Sequence, residues 1–172
     1  MTKIIEIIVE DESWKKIEGY SDWNNSLEAL FQETRKKKYQ GNKRCRIGLL
    51  LTDDARIKLL NRNFRNINKP TNVLSFPEYE SELLDKIETS VETAEMFLGD
   101  IAMSREQIMR ECKEYGIQFF DRCSHLFVHG VLHLFGADHI ESKEQEEMES
   151  MEIDILRKFG MSNPYILEGE KK

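Results

Sequence analysis

No stretch of this 172-residue chain approaches the roughly 20 consecutive apolar residues that span a bilayer. A helical membrane protein is therefore not expected. The opening stretch MTKIIEIIVEDESW is too acidic, and its apolar run too short, for a secretory signal. The cytoplasm is the expected location. Cysteine is scarce: Cys45, Cys112 and Cys123 are odd in number and form no C-x-x-C pair. Neither a disulfide framework nor a cysteine zinc site is indicated, and buried free thiols are expected. The chain has no internal repeat and no low-complexity tract. It also lacks a positive balance: the formal net charge is −7. Taken alone, that weighs against a nucleic-acid partner, since phosphates usually meet a basic surface.

The total conceals a polar distribution. RKKKYQGNKR (35–44) carries six basic residues, whereas residues 78–95 and 141–154 each carry seven acidic residues against one lysine. The basic run is a candidate RNA contact. It equally suits a solubilising helix end, where positive charge complements the C-terminal dipole.

A composition of 40% hydrophobic and 33% charged residues suits one soluble domain spanning 1–172. KIIEIIV (3–9) reads as a strand. A helix is expected from Asp22, with Trp23, Leu27, Leu30 and Phe31 on one face and a turn at Gly41. CRIGLLLT (45–52) reads as a buried strand. Thr52 or Asp53 can cap the next helix, in which Ile57, Leu60 and Phe64 recur at helical spacing. NVLSF (72–76) is a strand fenced by Pro70 and Pro77. Residues 78–96 are expected to be an acidic insertion, partly helical and mobile, and FLGDIAM (97–103) a fourth strand. Ser104 with Gln107, and Ser142 with Gln145, form capping boxes ahead of two helices. The first stops at Gly116; the second presents Met148, Met151, Ile155 and Phe159 to the core and ends at Gly160. Between them FFDRCSHLFVHGVLHLFG (119–136) is a long helix ended by Gly136, and 165–172 is a tail. This pattern predicts an α+β fold, one sheet of about four strands covered by helices.

All four histidines fall within fifteen consecutive positions, 125–139. Positions four apart lie one above the other on a helix, so His129 and His133 can aim their rings at one point, as in the H-E-x-x-H metal helix. A catalytic zinc site needs a third ligand and an open fourth position. His125 is eight residues from His133, about 12 Å along the axis, too far to share the ion. His139 is better placed, because Gly136 can end the helix in the left-handed conformation and turn the chain back. Apolar residues on several sides of this helix predict its burial, and buried histidines are costly unless ligated or hydrogen-bonded. His125 reads as a histidine that packs or supports the others. Gly130 occupies the place of the glutamate of H-E-x-x-H, so the usual peptidase base is missing. Asp138 either orients a ligand or is a plain turn residue.

HGVLHLFGADH (129–139) resembles the H-G-x-L-H-L-x-G-x-D-H signature of the YbeY endoribonucleases, and SHLFVHG extends the match. NRNFRNINKPTNVLSFP (61–77) is similar to that family's arginine segment ending in P-T-D/N-V-L-S-F-P, and LGDIAMS (98–104) to its L-G-D-I-x-I-S strand. The chain departs from the pattern in its acidic segment and at Ala137, where an aromatic is more common. The resemblance implies a zinc-hydrolase-like fold with the metal on a buried helix. It implies a zinc-dependent, single-strand-specific endoribonuclease of ribosomal RNA maturation, at the small-subunit RNA 3′ end, and of ribosome quality control. The implied ligands of one Zn2+ are His129, His133 and His139, and the implied functional arginine is Arg65, whose fork can hold two phosphate oxygens. Arg62 and Lys69 can hold flanking phosphates. The implied partners are ribosomal RNA, the small subunit and a ribosome-assembly GTPase, with no membrane. Two other readings stay open: a zinc peptidase or amidase, and a ribosome assembly factor whose zinc is structural.

Overall fold

A computed structural model describes residues 3–88 and 95–169. The strands are β1 (Ile5–Val9), β2 (Arg44–Thr52), β3 (Val73–Pro77) and β4 (Glu95–Ser104). The helices are α1 (Tyr20–Lys38), α2 (Asp54–Arg65), α3 (Ser81–Glu88), α4 (Arg105–Tyr115), α5 (Phe119–Leu134), α6 (Ser142–Lys158) and α7 (Pro164–Gly169), with a 3-10 turn at Glu12–Lys16. The protein is thus α+β with a single open sheet in the order β1-β2-β4-β3. β1, β2 and β4 are parallel, and β3 is antiparallel to β4. Parallel neighbours on both sides account for the nearly continuous apolar run of β2.

Strand residues alternate between faces, and the two faces are covered unequally. Ile47, Leu49 and Leu51 of β2 and Ile101 and Met103 of β4 join Leu27 and Phe31 of α1 and Phe127 and Val131 of α5 in the main core. On the other face Ile57 of α2 packs on Leu74 and Ala102. α2 leaves part of that face open, and Ile8 is 58% exposed. The start of α5 is pinned by aromatic contacts: Trp14 lies 5.5 Å from Phe119, and Trp23 5.2 Å from Phe120, between ring centroids. The buried Trp14 also donates its indole N–H to Thr52 O at 2.9 Å, satisfying the one polar group it carries inside.

Several local expectations change. Asp53 does cap α2, accepting from Arg56 N. Neither serine closes a capping box. The Ser104 hydroxyl donates to Asp54 Oδ1 at 2.7 Å, a partner from another helix. Ser142 lies inside α6, where Glu141 is the N-cap and makes no side-chain cap bond. Phe64 leaves the core and is 67% exposed. The segment from 165 begins within α7. The acidic segment is helical over α3; residues 89–94 lie outside the described residues. The basic run is largely committed within the chain. Arg35 donates to Gly41 O and Lys43 O, while Lys36, Lys37 and Arg44 pair with Glu33, Asp154 and Glu95. That suits a helix end tied to its neighbours better than an RNA contact. All three cysteines are free; Cys45 and Cys123 are buried, and Cys112 is half-buried.

Candidate metal centre

α5 is buried along most of its length and carries His125, His129 and His133 on successive turns. Gly136 ends it with φ +85°. Its N–H bonds His133 O and the N–H of Ala137 bonds Leu132 O, the reversal that left-handed glycine permits. The turn carries His139 back over the helix. The ring centroids of His129, His133 and His139 are then 4.6, 5.0 and 5.7 Å apart, and one ligand atom from each lies within 4.8 Å of the others. No fourth histidine, cysteine or carboxylate joins this group among the described residues. His129 and His133 are half-buried and His139 is exposed.

The hydrogen bonds fix which nitrogens face inward. His133 Nδ1 lies 2.9 Å from Ala137 O. A carbonyl can only accept, so Nδ1 carries the proton and Nε2 keeps its lone pair. His129 Nδ1 lies 2.6 Å from Glu152 Oε1, and the same logic frees its Nε2. The two lone-pair nitrogens face each other at 3.1 Å. Two ligands at 2.0–2.1 Å in a tetrahedral zinc shell stand about 3.3 Å apart, so the pair suits a shared cation. Burial, then the neighbouring His129 and His139, push His133 down to about 4; its ring is therefore uncharged, with Nε2 free to ligate, at neutral pH.

Glu152, on α6, was not singled out by its sequence position. It is fully buried. It receives His129 Nδ1–H on one oxygen, and on the other His125 Nε2–H at 2.9 Å together with the Tyr165 hydroxyl from α7. Burial would raise its carboxyl, but the hydrogen bonds from His125 and His129 outweigh it and bring it down to about 2. His125 Nδ1 faces Arg122, a donor only, at 3.1 Å. His125 therefore accepts there and donates to Glu152, which makes it a support of the group. Arg122 in turn pairs with Glu111 at 2.9 Å. Asp138 accepts its neighbour's backbone N–H, from His139 at 2.7 Å, as a turn residue does.

Gly130 has a packing reason. A Cβ there would stand 3.0 Å from Ile101 Cδ1 and 3.2 Å from Ser75 Oγ. This side of α5 lies against β3 and β4, so a glutamate has no room and could not reach the histidine centre. Gly136 is crowded too, since a Cβ would meet Ser81 Cβ at 2.7 Å. The start of the acidic segment therefore rests on the residue between two of the histidines.

The histidines floor a cleft of about 590 Å3 that Arg65, Ser75, Glu78, Glu80 and Asp138 also line. Arg65 ends α2, and Asn66 turns the chain with φ 58°. The buried Asn61 amide ties the following loop by donating to Lys69 O at 2.8 Å. The guanidinium of Arg65 has no ion pair or hydrogen bond among the described residues. Arg62 and Lys69 are exposed and do not line the cleft.

Fold and site together define an α+β protein with a histidine group able to hold one metal ion in an open cleft. The sequence profile described as Endoribonuclease YbeY matches residues 8–160. An endoribonuclease YbeY of Sphingopyxis alaskensis is 44% identical over 119 residues, covering 69% of this chain and 70% of its own. That of Sinorhizobium medicae is 37% identical over 164 residues, 94% of each chain. The solution structure of TM1509 from Thermotoga maritima is similar at a TM-score of 0.57 and 25% identity, over 88% of this chain and 86% of that one. This chain belongs to the endoribonuclease YbeY family.

Proposed function

We propose that the protein is a zinc-dependent, single-strand-specific endoribonuclease that matures ribosomal RNA, at the 3′ end of the small-subunit RNA, and serves ribosome quality control in the cytoplasm. The observation that carries this reading is the meeting of three imidazoles and an unpaired arginine on one cleft. His129, His133 and His139 hold one Zn2+ per chain. The ion, when bound, supplies Lewis acidity at a phosphoryl oxygen. The chain supplies the rest. Glu152 and Ala137 O hold the two helical histidines in the ligating tautomer, and Arg65 presents a planar fork to phosphate oxygens. The partners proposed are the small subunit, where RNA ends are presented, and a ribosome-assembly GTPase.

The peptidase reading is disfavoured by Gly130, where the sheet fills the space a glutamate would need. The structural-zinc reading is disfavoured by the exposure of His139 and by a donor set of three, since structural zinc takes four protein ligands. Incubating immature small-subunit particles with wild-type and His133→Ala protein, and reading the RNA ends, tests the function. Trimming by both proteins alike, or by neither, overturns it. Elemental analysis should give about one zinc per wild-type chain and none after His133→Ala. Arg65→Ala should keep its zinc and lose about 10²-fold in cleavage rate.

A further inference from the structure

Phe64 sits one residue before Arg65, on the last turn of α2, and is 67% exposed. Leu59 and Ile67, in the same segment of the chain, are 41% and 42% exposed. An exposed phenylalanine alone would need no account. Its setting differs from the rest of this acidic chain. Residues 56–69 contain Arg56, Lys58, Arg62, Arg65 and Lys69 and no acidic residue. Arg56 lies 3.7 Å from Glu10. The other four cations make no ion pair among the described residues. Cations interleaved with an exposed aromatic are the ingredients of a single-strand nucleic-acid track.

The ring is held against the sheet edge. Phe64 meets Phe76 edge-on at 5.1 Å and 64°, which props the ring. Phe64 and Phe76 line a groove of about 640 Å3 on the open sheet face. Pro77 and Glu78 line both this groove and the histidine cleft. The groove and the cleft thus share a wall at the end of β3, with Phe64 on the groove side and Arg65 on the cleft side. Glu6, Glu10, Glu78 and Asp100 also line the groove, Asp100 directly across the sheet from Phe76, so phosphates are favoured along the cations of α2 and not inside the groove. Arg65 on the cleft and the exposed Phe64 beside it in sequence thus offer one phosphate contact and one ring face at the end of α2.

We infer that Phe64 is a stacking platform for one base of single-stranded RNA, next to the nucleotide whose phosphate Arg65 holds. This rests on the nuclease reading above. A base in a duplex is already stacked and cannot lie on the ring, so the contact selects unpaired RNA. An acidic peptide would meet the same cations, but it would gain nothing from a flat π-face that leucine could not supply.

The test uses the zinc-loaded full chain with single-stranded RNA oligonucleotides. Phe64→Ala and Phe64→Leu should each raise KM and the dissociation constant about tenfold, the scale of one lost base stack, with kcat held. Phe64→Trp should match wild type. An oligonucleotide abasic at the stacked position should bind wild type about tenfold more weakly and Phe64→Ala no more weakly than the intact strand. Because the ring is mostly exposed, thermal melting should place all three variants close to wild type. If Phe64→Leu binds like wild type, the stack is refuted and an apolar contact replaces it. If both truncations match wild type while Arg65→Ala cleaves poorly, the platform falls and the nuclease stands. If zinc-loaded wild type neither binds nor cleaves RNA, both fall.

Discussion

Glu152→Gln isolates what the buried carboxylate does for the metal centre. The side chain keeps its volume but loses one acceptor oxygen. Two donors, His129 Nδ1–H and His125 Nε2–H, point at opposite oxygens of Glu152, and a glutamine can accept from only one of them. If its amide N–H2 faces His129, that ring must move its proton to Nε2, the nitrogen that stands 3.1 Å from His133 Nε2. A protonated Nε2 cannot ligate. Loss of such a support costs about 10–100-fold in metal affinity, or roughly 1.4–2.8 kcal/mol. The metal-free protein should also lose about 2 kcal/mol, since charge-assisted bonds to a fully buried group are given up. Zinc affinity is read by competition with a chromophoric chelator, and the His129 tautomer by nitrogen-15 NMR. Zinc affinity within about twofold of wild type, against the 10–100-fold expected, would refute this reasoning.

Gly130→Glu restores H-E-x-x-H in sequence but should destabilise the fold by about 3 kcal/mol or more, because a carboxylate is forced against Ile101 and Ser75. It should confer no peptide hydrolysis; denaturant melts and a peptide assay check both. Gly136→Ala should cost about 2–4 kcal/mol in urea, from a left-handed backbone and the clash with Ser81. Arg105→Ala should leave a pH-dependent deficit. Burial would raise the Asp11 carboxyl, but Arg105 and Ser13 outweigh it and hold it below the ordinary value. A carboxyl depressed on folding stabilises above its unfolded pKa and loses that contribution as pH falls through the folded one. Wild type should therefore exceed Arg105→Ala in urea midpoint at about pH 6, with the gap shrinking below about pH 4. An equal gap at both pH values would contradict the pairing.

The histidine group was legible because its geometry is local: a four-residue spacing, a glycine stop and a short return set it without reference to the rest of the chain. The apolar run of β2 was legible for the same reason. The supports of the site were not, because they come from distant elements. Glu152 hides among the acidic residues of α6, yet it shares the stripe of Met148, Ile155 and Phe159. A carboxylate on an apolar stripe was the available signal. Ser104 looked like a cap, but Asp54, fifty positions earlier, takes its hydroxyl. Phe64 follows the helical spacing of Ile57 and Leu60, but Ile57 packs on the sheet while the ring beyond it stays exposed. Periodicity shows which side of a helix faces inward and not where the surface beneath it ends.

The contact between Tyr165 and Glu152 has a consequence for biogenesis. The three clustered rings, the carboxylate that orients one of them and the phenol that closes on that carboxylate all follow the last strand of the sheet in chain order. A nascent chain that has made all four strands still lacks α5, α6 and α7. The histidine group therefore closes only after the sheet strands are made, and the phenol that completes its support arrives after the rings and the carboxylate it serves.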